Sequence, residues 1–298
     1  MEIYSNGKVL LTGEYVVLDG ALSLASPTKF GQHLKYVKNQ SNLINWKSMN
    51  YDGKIWFECS IKKENLEIKS TSSKKVSDLL INIINLIREY NPSFLKDYGS
   101  NILTNLTFDI NWGLGSSSTL ISNLAKLSGA DPYILNNKIF KSSGYDIACA
   151  NSISPIVYKL NKRQRVINNV SFRPPFHENI YFIYLNKKQR SIEEIQKYSN
   201  NKASDLVINE ITNITSMILK CNSIEAYDKL IESHELIISK LISKQTVKDH
   251  LFKDFDGYIK SLGAWGGDMI MVTSQIDPSK YFIEKGYSTI FKFKELLV

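Results

Sequence analysis

Three cysteines, Cys59, Cys149 and Cys221, are all that 298 residues carry; they are odd in number, widely separated and include no Cys-x-x-Cys. A disulfide framework and a cysteine zinc site are excluded, and reduced cytoplasmic thiols are the expectation. No apolar run approaches bilayer-spanning length, and the N-terminus lacks a basic stretch leading into an apolar one. A soluble cytosolic chain with no membrane partner follows. Lysine and arginine exceed aspartate and glutamate by 37 − 29 = 8, a surplus that attracts anions. The basic residues are scattered in pairs such as Lys62-Lys63, Lys74-Lys75 and Lys162-Arg163, with no block of one sign, so no nucleic-acid partner is expected. Four histidines, His33, His177, His234 and His250, form no HExxH and no i,i+4 pair, and no GxSxG or His-Arg-Asp loop occurs. Zinc hydrolases, serine hydrolases and protein kinases drop out.

What is present is a globular composition, 43% apolar and 22% charged. The segment KIWFECSIK alternates Ile55, Phe57, Cys59 and Ile61 on one face after the Asp52-Gly53 turn, which predicts a hairpin. Residues 76–90 change to helical spacing and end at Asn91-Pro92; LTNLTFDINW reads as a strand. KVLLTGEYVVL reads as two short strands or one bulged strand. From residue 203 helical stripes dominate, through Leu206, Ile211, Ile214 and Met217, then Tyr227 and Ile231, then Leu236, Ile237 and Leu241, all assigned to the core. DMIMVTS and STIFKFKEL close the chain as strands around a helix begun by Pro278. An α+β chain in two parts is expected, 1–172 and 173–298.

Four stretches hold residues suited to chemistry. NWGLGSSST, residues 111–119, lies between a strand and a helix. Its glycines admit a ligand close to the backbone, and the first amides of the helix and the helix dipole favour an anion there. It is neither a GxxxxGK[ST] loop nor a dinucleotide fingerprint. By its residues alone it is either a phosphate loop or a turn in which Ser116 or Ser117 caps the helix. KSLGAWGGDM, residues 260–269, is a second glycine cluster; SSGYDIACANS places Asp146 after Gly144-Tyr145 in a loop that no periodic pattern claims; NGKVLLTGEY supplies Lys8 and Glu14.

Taken in order, SNGKVLLTGEYVVLDG, GLGSSS, SGYD and KSLGAWGGD resemble the four signatures of the GHMP small-molecule kinases, over residues 5–268 and nearest the mevalonate and phosphomevalonate kinase branch. The resemblance implies an N-terminal domain like ribosomal protein S5 domain 2 and a ferredoxin-like C-terminal domain. It implies ATP and Mg²⁺ as cofactors and a small alcohol or a phosphorylated metabolite as substrate, as in isoprenoid biosynthesis, in a monomer or homodimer. By position, Gly113, Leu114, Gly115, Ser116, Ser117 and Ser118 would wrap the ATP phosphates, with Ser117 on the metal. Gly263, Ala264, Gly266 and Gly267 would line the nucleotide cleft. Asp146 would take the acceptor's proton, Lys8 would keep Asp146 ionised and steady the transferring phosphoryl group, and Glu14 and Tyr145 would bind substrate. Positioning and charge compensation are most of what phosphoryl transfer asks of a protein.

Departures from the pattern include Trp265 where the family has glycine, Leu262 where it has threonine, and Asp131 as the sole carboxylate in 118–145, where those kinases carry a glutamate metal ligand. They set a second reading beside the first: a catalytically impaired nucleotide-binding or regulatory protein on the same scaffold. Arg190, with Lys187 and Lys188, is either a solvated turn or a contact for an anionic substrate.

Overall fold

A computed structural model of the chain describes residues 1–161, 164–188, 194, 196–198, 202–265 and 267–298. The α+β class read from the periodicities holds. Two compact units form from separated segments: 1–7, 30–110 and 114–151 in the first, 8–29, 111–113 and 152–298 in the second.

The first unit holds the latter part of β2 (Ser23–Asn39), β3 (Leu43–Met49), β4 (Ile55–Lys62), β5 (Ile68–Thr71) and β6 (Gly99–Leu106), in the sheet order β5-β4-β3-β6-β2. Neighbours are antiparallel except β3 and β6, where Ile44 faces Ser100 in a parallel ladder. A parallel pair needs a crossover, which β4, β5 and helix α1 (Lys74–Tyr90) supply. The Asp52-Gly53 turn closes the β3–β4 hairpin with Gly53 at φ +78°. Helix α1 buries Leu80, Ile83, Ile84 and Ile87 in one cluster with Leu34, Trp46, Phe57 and Ile102 of the sheet, each worth about 1.5–3 kcal/mol of transfer free energy. Helices α2 (Ser116–Ser128), α3 (Pro132–Phe140) and α4 (Tyr145–Ala150) complete the unit.

In the second unit, β9 (Ile180–Tyr184) is followed by α5 (Asp205–Ile218), α6 (Ile224–Ile242) and α7 (Val247–Leu251). Then come β10 (Tyr258–Ser261), β11 (Met269–Thr273), α8 (Ser279–Glu284) and β12 (Ile290–Lys292). The strand order β10-β11-β9-β12, antiparallel throughout, is the ferredoxin-like arrangement. Strands β9 and β11 are buried at every position, which explains their unbroken apolar runs IYFIY and MIMVT. The serines preceding α5 and α6 cap them: Ser204 Oγ accepts from Val207 N and Ser223 Oγ from Ala226 N. A hairpin of β7 (Ile156–Asn161) and β8 (Gln164–Asn169) pairs with the first residues of β2. Lys162 and Arg163 lie outside the described residues.

Three expectations are corrected. Strand β1 (Glu2–Leu10) stops before Gly13; the YVVL half is a 3₁₀ turn, Val16–Asp19, because Gly13 and Tyr15 at φ +90° and +64° turn the chain out of extended geometry. The last strand ends at Lys292, and Phe293–Leu296 are helical. Leu206, Met217 and Leu236 are exposed; α6 buries Tyr227 and Ile231 as expected and adds His234, Glu235 and Ile238, a stripe at helical spacing that includes a histidine and a carboxyl. Among the described residues no helix is long and apolar enough to cross a membrane.

Candidate active site

Helix α2 begins at a glycine. Gly115, at φ +90°, occupies the capping position without a side chain to bond the first amides. Ser118 Oγ donates to Gly115 O at 2.9 Å, and Thr119 Oγ1 lies 3.0 Å from both Ser116 O and Gln32 Oε1. Those two hydroxyls are spent on the loop and the sheet. Ser116 is half-buried and Ser117 exposed, so the helix opens with uncapped amides, a positive dipole end and an outward hydroxyl. Leu114 is buried and anchors the loop.

Asp146 is on the first turn of α4, not in a loop; Gly144, at φ +92°, precedes that helix, which is too short for a periodic signal. Ser142 Oγ lies 3.3 Å from Asp146 Oδ1 and accepts in turn from Asn136 Nδ2 at 2.5 Å, a chain that orients the carboxylate. Asn151 Nδ2 donates to Ile147 O and reaches Ser122 Oγ of α2, fastening α4 to the helix of the glycine loop. Tyr145 is half-buried beside Asp146. Asp131 caps α3, its Oδ1 accepting from Tyr133 N at 2.7 Å and Ile134 N at 3.2 Å.

In the second unit Lys8 Nζ donates to Gly113 O at 2.9 Å. Gly113 has φ +73°, and a Cβ there would lie 2.6 Å from Asp268 Cγ. Gly113→Ala is expected to lower stability by about 1–3 kcal/mol through left-handed strain and overpacking, read from urea unfolding. Asp268, nearly buried and at φ +54°, donates its N–H to Lys187 O and accepts from Leu185 N. Gly263 takes φ +69° with open space around it, Ala264 is buried, and Gly266 lies outside the described residues, as does Arg190. Trp265 is 1% exposed: its indole packs inward instead of projecting from the loop.

Solved structures of similar architecture cover nearly the whole chain. The Methanococcus jannaschii mevalonate kinase superposes with a TM-score of 0.71 at 18% identity over 98% of this chain and 96% of its own. For the Streptococcus pneumoniae phosphomevalonate kinase in complex with phosphomevalonate and AMPPNP the values are 0.66, 16%, 96% and 95%. For the Lactococcus lactis galactokinase complexed with galactose they are 0.64, 13%, 97% and 92%. The chain has the GHMP-kinase fold. No protein-family model matches the chain, and no curated protein matches its sequence.

Within this GHMP-kinase fold Lys8 and Gly113 are bonded, and Asp146 is oriented by residues of its own unit. Glu14, expected at the substrate, is turned inward. Its side chain is fully buried, with Oε1 2.6 Å from Lys260 Nζ. Lys260 also lies 3.8 Å from Glu235 Oε1, and Ser261 Oγ donates to Glu235 Oε2. His234 Nε2 accepts from Gly13 N at 2.9 Å. Burial, and then the charge of Lys260, press the His234 pKa well down, so its 3.4 Å approach to Glu14 Oε2 is not an ion pair. Burial drives Glu14 up against the opposing pull of Lys260. The signal for His234 and Glu235 was their place on the buried stripe with Tyr227, Ile231 and Ile238; for Lys260 it was a lone charge beside an apolar strand.

Proposed function

We propose that the chain is an ATP-dependent kinase of small metabolites, transferring the terminal phosphoryl group of ATP to the hydroxyl or phosphate of a mevalonate- or phosphomevalonate-like acceptor. The observation that carries this is the bond from Lys8 Nζ to Gly113 O, which fixes an ammonium group on a left-handed glycine loop leading into an uncapped helix. A helix start of this kind favours a phosphate, and the ammonium compensates charge that grows in transfer. Similarity to a phosphomevalonate kinase holding phosphomevalonate and AMPPNP supports the substrate class.

On this reading the amides from Leu114 to Ser118 receive the nucleotide phosphates. Asp146 accepts the proton of an acceptor hydroxyl as the new O–P bond forms and the bond to the ADP oxygen breaks. Tyr145 lies beside that base and meets the acceptor. The cytosol is the setting that fits three free cysteines.

Magnesium fits as a companion of the nucleotide rather than as a resident of a protein cage. Among the described residues no group of three His, Cys, Asp or Glu side chains is placed to hold a metal ion, and Asp131 is committed to its helix. The exposed Ser117 hydroxyl is the ligand this chain offers, and the nucleotide phosphates and water supply the others, as Mg²⁺ prefers. When bound, the ion neutralises phosphate charge. The commitment of Asp131 also favours the second reading, a protein that binds nucleotide without transferring it.

A coupled ADP-release screen with MgATP over mevalonate, phosphomevalonate, homoserine and sugars tests both. Turnover confined to mevalonate or phosphomevalonate is expected. Calorimetric ATP binding without turnover on any acceptor supports the second reading, and absence of ATP affinity removes both.

A further inference from the structure

Gly13, Glu14 and Tyr15 each hold a different element of the second unit. The Gly13 N–H donates to His234 of α6, and a Cβ at Gly13 would lie 2.1 Å from Ser23 Oγ, so only glycine fits. Glu14 holds Lys260, the third residue of β10, in a pair with both side chains fully buried. The Tyr15 hydroxyl accepts the Trp265 N–H at 3.1 Å, in the middle of the glycine loop that β10 leads into. Tyr15 makes this contact from φ +64°, a region a bulky residue keeps only where its surroundings over-determine it, and its ring packs on Tyr198 with centroids 5.4 Å apart. The loop is closed below by Leu262 N to Met269 O and beyond by Asp268 N to Lys187 O. Between these fixed ends the Tyr15 hydroxyl is the side-chain partner of the Trp265 amide.

Replacing a buried charge pair by apolar groups is often neutral or stabilising, so stability alone does not explain why Glu14 and Lys260 are there. Geometry does: an ion pair has a definite direction and length, and this one sets the strand residue two positions before Leu262. We infer that Glu14 and Tyr15 are positioning residues that fix the backbone at Leu262–Trp265 for the phosphates of the nucleotide, and that neither touches nucleotide or acceptor. The inference rests on the kinase reading, and it assigns the Gly-Glu-Tyr segment to loop placement in place of substrate binding.

Two variants of the full chain test it, Tyr15→Phe and Glu14→Gln, the first deleting one acceptor atom and the second keeping shape while removing charge. The Tyr15→Phe variant should raise the ATP dissociation constant in calorimetry about three- to ten-fold, the worth of one hydrogen bond, and leave the acceptor KM within about two-fold. Hydrogen exchange should quicken in the peptide containing Trp265, while the thermal melt stays close to that of the parent chain. Glu14→Gln should move ATP affinity in the same direction; should it fail to fold, Tyr15→Phe carries the test. Unchanged ATP affinity in Tyr15→Phe, or a rise in acceptor KM alone, overturns the inference. A parent chain that binds no ATP overturns the kinase reading, a result visible before either variant is made.

Discussion

Asp146→Asn is expected to lower turnover on an alcohol acceptor by about two to four powers of ten, the range a positioned general base contributes, while ATP affinity stays near that of the parent. The amide keeps the shape of the carboxylate and its bond from Ser142, so the loss reports the missing proton acceptor and not a displaced helix. The acceptor's class sets the size of the effect. A hydroxyl must shed a proton as it attacks, whereas a phosphomonoester has a second pKa of about 6 and is mostly dianionic at neutral pH. With a phosphate acceptor the same substitution should cost less than about ten-fold, since no proton need be taken. Steady-state kcat for both acceptor types, with ATP binding by calorimetry, makes the comparison. An unchanged kcat on an alcohol would remove Asp146 from the reaction.

Much of the scaffold was legible because its signals are local. The hairpin at Asp52-Gly53, helix α1 up to Asn91 and strand β11 follow from period and turn residues within a few positions of one another. In α6 Tyr227 and Ile231 are buried as their spacing implies, while Leu236 is exposed for a physical reason. A hydrophobic count favours Leu236, yet the helix turns His234 and Glu235 inward because Gly13, Lys260 and Ser261 satisfy them. Those partners lie far along the chain; Glu14 and Lys260 are 246 residues apart, and no local pattern reports such a pair. The Gly-Glu-Tyr turn misled for a related reason, since its β-branched neighbours spell a strand while Tyr15 is held at positive φ by contacts distant in sequence. Lys8, Gly113 and Asp146 were picked out by the order of four short motifs. Their hydrogen-bond partners, Gly113 O for Lys8 and Ser142 for Asp146, needed coordinates.

Within the buried cluster, the share of the pH dependence that belongs to Glu235 is one that a single substitution should remove. One ammonium, Lys260, faces two carboxylates, and Glu14 at 2.6 Å takes it more closely than Glu235 at 3.8 Å. His234 beside them is neutral and adds no positive charge. Burial pushes Glu235 up to about 8 and the Glu14 charge adds to the rise, while Lys260 and the Ser261 hydrogen bonds oppose it. A carboxyl with a folded pKa above its ordinary 4.5 keeps its proton in the native state while the unfolded chain has already lost it. Its contribution to stability is therefore complete below pH 4.5, declines as pH rises, and is lost once pH passes about 8. At 1.36 kcal/mol per pKa unit the total is roughly 5 kcal/mol. Glu235→Gln keeps an acceptor for Ser261 Oγ and cannot ionise. Relative to the parent, the variant should gain stability across that window by roughly this amount and then run parallel above it. Urea unfolding of both chains from pH 4 to 9 measures the difference. Curves parallel throughout would mean that Glu235 is already ionised at neutral pH and that Lys260 serves both carboxylates.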